Sequence, residues 1–397
     1  MLYYYITIIS LAMASLSFLY YSVTSYFAMN YNDAPKLKRA SNPGDITIIV
    51  PVYKEGKDMF ERCVESVRRQ RARFLVVGDS SDEPYRSIAI RNGGRFLLLK
   101  KHSGKRKALS AAIRKTKTKY VLFVDSDTIL PDNAVKSMLS KAEENIGGIG
   151  ALSSINHKGN KISYCTEFFF RINEVVNRAM SSGGSVFVIP GRCSMYQTKI
   201  IKPYLLSRQF LENRVIGTIG FVSEDADITG YVSSAGYRTI IDCDVKVVTE
   251  PQDDFKLMVK QMSRWVRDGY MLFAKELIDG SYSRKGAYYS FSMFYLFLAP
   301  IIVAFIGLSR LAIMLNTSAF NLANILPFIA NRITYASVIG IALAIAGSVI
   351  FLAVTSRSIP KKKIKTIAFG GLTMLIMFAA SIYTLATIWK QGSWLTR

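Results

Sequence analysis

Long uncharged runs stand at both ends of the chain, and a block that mixes apolar and polar positions lies between them. The N-terminal run covers residues 2–29 without a charged side chain. A helix of that length crosses about 30 Å of hydrocarbon, and the basic start of a cleavable signal peptide is missing. The pattern predicts a retained N-terminal transmembrane helix over residues 1–30.

The C-terminal third holds further apolar runs that are long enough to span a membrane. They cover residues 288–308, 333–355 and 366–389. They predict a transmembrane region over residues 286–390 with about three spans, followed by a short tail over residues 391–397. Residues 311–330 are diluted by three asparagines, and fit a loop, an interfacial helix or a re-entrant segment.

The middle of the chain, residues 40–280, forms one soluble block in which short β-branched runs alternate with helical periodicity. Strands are predicted at residues 46–50, 74–77, 95–99 and 120–124, and helices at residues 59–71 and 105–115. Such alternation predicts an α/β, Rossmann-like domain with a mostly parallel sheet. Ligands of such folds bind beyond the carboxyl ends of the strands, where Tyr53, Asp79 and Asp125 stand in the sequence.

Composition adds a strong positive balance, with 51 Lys and Arg against 28 Asp and Glu, and a mean hydropathy of +0.21. Basic clusters at residues 36–39 and 361–365 flank the predicted spans, as cytoplasmic loops do. No nucleic-acid motif accompanies the charge, so no nucleic-acid partner is expected. The four cysteines form no C-x-x-C pair, which fits a reduced cytoplasmic domain better than a zinc site.

Asp125 and Asp127 follow an apolar strand directly and flank a serine. Two carboxylates at this spacing can converge on one ion, and hard oxygen ligands suit Mg²⁺ or Mn²⁺. Such an ion usually bridges the carboxylates to substrate phosphates. The competing interpretation is that both acids cap a helix that begins near Pro131, because Asp is favoured at caps and turns.

Three acids cluster in the segment that contains Glu224, Asp225 and Asp227. A carboxylate that faces a hydroxyl can act as a general base, and Asp225 is our candidate, with Glu224 and Asp227 as alternates. An acid-rich helix N-terminus would explain the same cluster without any catalysis.

Gln261, Arg264 and Trp265 are separated by three and four residues, which places them on one face of a helix. Arginine offers a planar fork for phosphate oxygens, and the indole offers a flat face to a sugar. The surrounding stretch, residues 255–275, is amphipathic, so it also fits an interfacial helix with Trp265 in the lipid headgroups.

Two shorter segments carry further candidates. Lys105, Arg106 and Lys107 stand in a row after Gly104, and one or more of them is expected to face a diphosphate or a sugar acid while the rest face solvent. Tyr53 follows the first predicted strand and is positioned either to stack on a base or to serve as an ordinary loop aromatic.

Together and in this order, these segments resemble the membrane-integrated family 2 glycosyltransferases, which include hyaluronan, chitin and cellulose synthases. The resemblance covers about residues 45–280 and the flanking helices, and the hyaluronan synthase-like branch is the most similar. Segments 104–106, 190–196 and 249–255 resemble stretches of that branch, and residues 394–397 are similar to its C-terminal Trp-Gly-Thr-Arg loop.

The resemblance implies a GT-A fold, a UDP-sugar donor, Mg²⁺ or Mn²⁺ as cofactor, and an inverting displacement. The donor side would be formed by Tyr53, Glu55, Asp79, Lys105, Asp125 and Arg264. The metal would be held by Asp127 and Asp125. The acceptor side would be formed by Trp265, Gln261, Glu224 and Arg192, with Asp225 as the base.

Three departures from the family pattern bear on these assignments. Residues 76–80, Val-Val-Gly-Asp-Ser, stand where the family has Val-Asp-Asp-Gly or Val-Asp-Gly, so the register of Asp79 is open. Arg192 and Cys193 replace the Pro and Leu of the acceptor loop, which leaves the acceptor open. One N-terminal span is evident where the branch has two. If both basic clusters lie inside the cell, this span count places residues 394–397 outside it. Only a change in the number of crossings at residues 311–330 would bring them inside.

The sequence therefore predicts a multi-pass membrane hexosyltransferase of the cell (plasma) membrane with a cytoplasmic catalytic domain. It would add sugars processively to a growing hyaluronan- or chitin-like polysaccharide and couple this to secretion. The rival interpretations are a non-processive lipid glycosyltransferase similar to ceramide glucosyltransferases, which would make the acceptor a lipid, and a nucleotide-sensing membrane receptor or transporter. Whether copies of the chain form a homo-oligomer is open.

Overall fold

The structure is a computed structural model of the 397-residue chain, and it describes residues 2–32, 42–212, 223–316, 334–360 and 363–387. Its strands are β1 (Ile46–Val52), β2 (Arg73–Asp79), β3 (Arg95–Leu99), β4 (Tyr120–Val124), β5 (Thr128–Ile129), β6 (Ile146–Ile155), β7 (Cys193–Gln197) and β8 (Arg238–Thr249).

Helices connect the strands and extend the chain at both ends. In chain order they are α1 (Leu2–Asn30), α2 (Lys57–Arg69), α3 (Tyr85–Arg91), α4 (Lys105–Lys115), α5 (Ala134–Ser140), α6 (Lys161–Ser182), α7 (Thr198–Leu205), α8 (Arg208–Glu212), α9 (Glu224–Ser234), α10 (Phe255–Asp279), α11 (Ala287–Asn316), α12 (Tyr335–Arg357) and α13 (Lys363–Thr387). Short 3₁₀ turns lie at Pro43–Asp45 and Ser281–Lys285.

The strands form one eight-stranded sheet in the order β3-β2-β1-β4-β7-β6-β8-β5. β1, β2, β3 and β4 pair in parallel, as the βα alternation of the sequence predicts. β7 runs antiparallel to both β4 and β6, whereas β6 and β8 pair in parallel. The predicted α/β fold is confirmed, and its second half is mixed because an antiparallel strand enters between two parallel sets.

Apolar side chains cover both faces of this sheet. On one face, Ile48, Val50 and Leu122 pack against α2 and α5 in a fully buried cluster. On the other face, Ile49 and Val121 pack against α4 and α7. Strands that are buried on both faces do not alternate between apolar and polar residues. For this reason β1 and β4 appear in the sequence as continuous apolar runs.

Four helices are long and apolar enough to cross a membrane, namely those at Tyr3–Asn30, Ala287–Leu315, Tyr335–Arg357 and Lys363–Thr387. The predicted runs fall inside these helices, apart from the first two residues of the 333–355 run and the last two residues of the 366–389 run. That segment and residues 311–330 extend beyond the described residues, so the crossing count in that stretch stays a prediction. The basic residues 36–39 also lie outside the described part of the chain.

The apolar helices pack onto the sheet domain through α6 and α10. Met258 and Met262 of α10 are buried between α6 and α13. Gly370 of α13 lies against Phe168 of α6, where a Cβ would come within 2.5 Å of the ring. At the N-terminal side, Tyr31 after α1 donates a hydrogen bond of 2.9 Å to the backbone oxygen of Ile241 in β8. The sheet domain and the apolar helices therefore share packed surfaces.

A buried ion pair ties α5 to β8 inside the sheet domain. Lys141 Nζ lies 2.5 Å from Asp242 Oδ1, and both residues are fully buried. Ser137 donates a second hydrogen bond of 2.7 Å to the other carboxylate oxygen. Removal of the lysine would leave a buried carboxylate without its counter-charge, which is the costly way to break such a pair.

We therefore expect Lys141→Met to destabilise the fold by about 3–5 kcal/mol. The apparent melting temperature of the purified full chain should fall on the order of 10 °C. Lys136→Met, an exposed position on the same helix, should leave it nearly unchanged. The double variant Lys141→Met with Asp242→Asn should recover part of the loss, and equal melting temperatures for all variants would contradict the pair's structural role.

Candidate active site

The carboxyl ends of β1, β2 and β4 meet at one edge of the sheet, as parallel strands require. Lys54 and Ser80, just beyond β1 and β2, both have positive φ angles, of 49° and 51°. Non-glycine residues adopt this backbone region uncommonly, and here they turn the chain sharply away from the strand ends. Tyr53, Asp79 and Asp125 are thereby placed at this edge.

Asp79 is buried and hydrogen-bonded by the chain itself. Its two carboxylate oxygens accept hydrogen bonds from the backbone N–H groups of Ser103 and Gly104, at 2.7 and 2.8 Å. His102 Nδ1 lies 2.8 Å from the same carboxylate. Asp79 thus holds the loop that starts α4, and its predicted contact with uridine stays a prediction.

Tyr53 and His102 form a stacked aromatic pair at the edge, with ring centroids 4.0 Å apart and planes at 21°. Next to them, Glu55 Oε2 accepts a hydrogen bond of 3.1 Å from the hydroxyl of Ser126. Glu55 is therefore linked to the Asp125–Asp127 segment through Ser126.

Asp125 and Asp127 do not cap a helix. The next helix begins at Ala134 with Asn133 as its N-cap residue, and no side-chain cap is made there. Burial raises the pKa of Asp127, and the neighbouring charges of Asp125 and Glu55 raise it further. The capping interpretation is therefore wrong, and Asp125 and Asp127 concentrate negative charge away from the start of the next helix.

These carboxylates fit a divalent cation. Desolvated and mutually repelling oxygens are stabilised by a bound cation, and the donors are of the hard type that Mg²⁺ and Mn²⁺ prefer. In the described part of the chain, no three Asp, Glu, His or Cys side chains converge into a metal cage. A Mg²⁺ site of one or two carboxylates completed by substrate phosphates has this form.

Lys105, at the start of α4, connects the two acidic clusters. Its ammonium lies 2.7 Å from Asp125 Oδ1, 2.8 Å from Glu224 Oε1 and 3.7 Å from Asp225 Oδ1. The side chain is largely buried, and the three carboxylates raise its pKa although burial opposes them. One positive charge therefore holds residues from β4 and α9 in a single cluster.

Asp225 and Glu224 differ sharply in their acidity although they are adjacent. Burial raises the pKa of Asp225 to about 7, with Glu224 and Asp125 adding to the effect. Burial opposes ionisation of Glu224 as well, but the contact with Lys105 outweighs it and lowers the pKa of Glu224 to about 2. A pair with separated pKa values is typical of an acid–base site, and Asp225 has the value of a general base.

Gly191 allows the Asp225 carboxylate to approach the loop before β7. The backbone N–H of Gly191 donates a hydrogen bond of 3.1 Å to Asp225 Oδ2. A Cβ at Gly191 would lie 2.3 and 2.4 Å from the two carboxylate oxygens, closer than any real contact. Only glycine at this position leaves room for the observed orientation of Asp225.

Asp227, an alternate candidate for the base, is engaged in structural contacts, and its catalytic role stays a prediction. It is almost fully buried and accepts hydrogen bonds from Tyr204, Arg106 and Lys275 at 2.9, 2.7 and 2.6 Å. Arg106 also donates to the backbone oxygen of Phe210. Of the three basic residues at the start of α4, Lys105 faces the site, Arg106 anchors α9, and Lys107 is exposed.

The Gln261–Arg264–Trp265 face of α10 is packed and partly covered. Trp265 stacks on Phe169 of α6, with ring centroids 5.0 Å apart and planes at 16°. The Arg192 guanidinium lies 5.4 Å from the Trp265 ring centroid. The roles of Gln261, Arg264 and Trp265 toward a ligand stay predictions, but the structure does bring together Trp265 and Arg192, which the resemblance assigned to the same side of the site.

Asp268 belongs to the same region, but it was not among the site residues predicted from the sequence. Burial raises its pKa to about 7, and the carboxylates of Glu224 and Asp225 act in the same direction while Arg264 opposes them. The spacing of four residues from Arg264 puts the two on one helical face, so helical periodicity was the signal that could have found it.

The fold and the site together define a domain of known class. Residues 47–205 match the family described as Glycosyl transferase family 2. The matched segment is less than half of the chain and is similar to that family, and the predicted GT-A-type fold is confirmed for the sheet domain.

Curated relatives of the chain are rhizobial N-acetylglucosaminyltransferases. One from Rhizobium sp. (strain N33) is 29% identical over 251 residues, which is 59% of this chain and 55% of the relative. Another from Sinorhizobium fredii (strain NBRC 101917 / NGR234) is 27% identical over 286 residues, 67% of this chain and 68% of the relative. The chain thus spans between about half and two thirds of the length of these relatives.

A solved structure shares the architecture at low sequence identity. The mannosyltransferase PcManGT from Pyrobaculum calidifontis, in complex with GDP-Man and Mn²⁺, superposes with a TM-score of 0.61 at 17% identity. The match covers 87% of this chain and 99% of the mannosyltransferase. At this identity the likeness establishes the fold.

We expect Gly191→Ala to displace the Asp225 carboxylate while the fold is retained. The clash falls on the end of a side chain that can rotate, so the rate of sugar transfer should drop by about 10²-fold or more with the melting temperature nearly unchanged. Gly44→Ala, where a Cβ meets only Asn42 at an ordinary 3.8 Å, is the matched control. An active Gly191→Ala enzyme would argue against the need for this orientation.

Proposed function

We propose that the chain is a membrane-embedded inverting glycosyltransferase that transfers a sugar, most simply N-acetylglucosamine, from a UDP-sugar to a saccharide hydroxyl. The observation that carries this is the position of Asp225. Its carboxylate is held by Gly191, has a pKa of about 7, and is joined through Lys105 to the donor-side carboxylate Asp125. The similarity to N-acetylglucosaminyltransferases supports the choice of sugar.

In this mechanism Asp225 accepts the proton of the acceptor hydroxyl, and the resulting oxygen attacks the anomeric carbon from the side opposite the nucleotide. General-base help of this kind contributes about 10²–10⁴-fold. Glu224, with its low pKa, remains ionised and keeps Lys105 in place. Arg264 offers a cationic fork to the departing diphosphate.

Asp127 and Asp125 would hold the divalent cation, Mg²⁺ or Mn²⁺. When bound there, the cation neutralises charge that develops on the leaving diphosphate. Tyr53 would stack on the uracil, and Glu55 would support the Asp125–Asp127 segment through Ser126.

The product is proposed to be a growing polysaccharide of chitin-like or hyaluronan-like type, released through the membrane by the same chain. Four apolar helices of spanning length support a multi-pass protein of the cell membrane, and α10, the helix that contains Trp265, packs on α13. The four cysteines form no disulfide among the described residues, which supports a cytoplasmic catalytic domain. The predicted gating segment, residues 394–397, lies outside the described residues.

Purified full-length chain is expected to release UDP from UDP-N-acetylglucosamine in the presence of Mn²⁺ or Mg²⁺. Asp225→Asn should lower this rate by about 10²–10⁴-fold, because an amide cannot accept the proton. UDP affinity should be retained, since the substitution keeps the shape of the side chain. Asp227→Asn serves as the contrast, with a loss of stability expected instead of a selective loss of rate.

UDP release that continues at the normal rate in Asp225→Asn would reject the assignment of the base. No release from any common UDP-sugar would favour a nucleotide sensor over an enzyme. The size of the product then separates the remaining options, because long chains indicate processive synthesis and short lipid-linked saccharides indicate a lipid glycosyltransferase.

The transfer rate should also depend on pH through Asp225. Because burial raises the pKa of this carboxyl to about 7, the protonated form predominates below that pH and cannot act as a base. We expect kcat/KM to fall as pH decreases through 7, by about tenfold per unit well below it. UDP affinity measured over the same range is the control, and a rate that stays flat down to pH 5 would contradict the role.

A further inference from the structure

An open groove lies at the end of the sheet opposite the candidate active site. Its volume is about 290 Å³, and it is lined by the turn before β4, the last residue of β7 and the start of α7. Gln197 pairs with Tyr120, the first residue of β4, whereas Asp125 follows the last residue of that strand. The five residues of β4 separate the groove from Asp125 by about 15 Å, at about 3.3 Å a residue.

Four lysines line this groove, and the protein does not neutralise their charges. They are Lys117, Lys119, Lys199 and Lys202. In the part of the chain that the structure describes, none of their ammonium groups forms an ion pair with a carboxylate. Lys202 Nζ donates a hydrogen bond of 2.8 Å to the backbone oxygen of Thr116, a neutral acceptor that leaves the charge in place. The groove therefore concentrates like charges, which repel one another until an anion lies between them.

The first turn of α7 adds to the positive potential of the groove. A helix N-terminus carries a partial positive charge, so acids are favoured there and cations are not. α7 begins with Thr198 and Lys199, its first turn holds no acid, and its N-cap residue Gln197 makes no side-chain cap in the described structure. A lysine beside a helix C-terminus is stabilised by the dipole, but Lys199 stands at the opposite end. An anion bound at this end would be stabilised by the dipole and by the N–H groups.

Thr198 supplies a hydrogen-bonding group that the protein leaves unused. The residue lines the groove and is only 6% exposed, yet its hydroxyl has no hydrogen-bond partner among the described residues. Thr116 and Thr118, the other threonines of the groove, both donate to backbone oxygens. A buried hydroxyl without a partner is costly. An oxygen atom of a ligand in the groove would satisfy it.

We infer that this groove binds the phosphate group of a small phosphorylated ligand. Lysine binds phosphate as a point charge, the start of α7 offers backbone N–H groups, and Thr198 offers its hydroxyl. The volume lies at the lower end of the range of ligand pockets, about 300–1,000 Å³, which suits a diphosphate or a sugar phosphate. The groove contains none of the residues assigned to sugar transfer, so the inference does not depend on the proposed function.

Binding of pyrophosphate to the full-length chain in nanodiscs of neutral lipid tests this, measured by calorimetry without divalent cations. An ionic strength of about 0.15 M screens unspecific attraction between exposed charges. The double variant Lys117→Gln with Lys199→Gln should weaken binding by at least about tenfold, because charge-assisted hydrogen bonds are lost. Lys136→Gln with Lys256→Gln, two exposed positions on α5 and α10, removes the same charge and should keep the wild-type affinity.

Thr198→Val separates a ligand contact from a role in the fold. The substitution keeps the shape of the side chain and removes a hydroxyl that has no partner, so the melting temperature should stay the same or rise. The affinity for pyrophosphate should nevertheless fall by about threefold or more, because one hydrogen bond to the ligand is lost. An unchanged affinity would contradict the assignment of this hydroxyl to the ligand, whatever the melting temperature.

Nanodiscs that contain phosphatidylglycerol distinguish two sources of the phosphate. Weaker binding of pyrophosphate than in neutral lipid would identify lipid headgroups as competitors for the groove. Equal binding in both lipids would identify a soluble phosphorylated ligand.

Three results would overturn the inference. The first is that pyrophosphate does not bind the wild-type chain, and the second is that the groove and control variants lose affinity equally, which indicates unspecific attraction. The third is a loss of binding in Arg264→Gln without a loss in the groove variants, which would place pyrophosphate at the candidate active site. None of these measurements needs turnover, so their outcome is separable from the UDP-release test.

Discussion

The contact of one ammonium with three carboxylates organises the site. Lys105 holds Asp125 at the end of β4 together with Glu224 and Asp225 at the start of α9. Without a cation between them, these acids would repel one another and the two segments would separate. Asp79 stabilises this arrangement, because its carboxylate accepts hydrogen bonds from the backbone N–H groups of Ser103 and Gly104. These bonds position the start of the helix that carries Lys105.

Electrostatic interactions also give different properties to the three neighbouring acids Glu224, Asp225 and Asp227, which look alike in the sequence. Lys105 lowers the pKa of Glu224 and keeps it ionised, whereas burial raises the pKa of Asp225 to about 7. The carboxylate of Asp227 accepts three hydrogen bonds. The same segment thus supplies a counter-ion, a candidate base and an anchor for α9. Their proximity to α10, which packs against α13, links the chemistry to the apolar helices without a separate connecting domain.

Much of the first half of the domain was predictable from local pattern. Strands β3 and β4 and helix α4 have the predicted bounds, because apolar runs and turn residues mark buried parallel strands clearly. The capping interpretation of Asp125 and Asp127 failed, since the next helix starts only at Ala134. Gly191 and Asp268 had no assigned role, because each is close to Asp225, which lies 34 residues after Gly191 and 43 residues before Asp268 in the chain.

The sequence by itself determined the class of domain, the four apolar segments and the residue types available for chemistry. These follow from hydrophobic periodicity and from short motifs, which are local properties of the chain. Only the tertiary structure showed that the adjacent acids Glu224 and Asp225 differ in pKa and that the Arg192 guanidinium lies against the Trp265 ring. Burial and Coulomb interactions set these outcomes, and both depend on side chains brought together from distant segments.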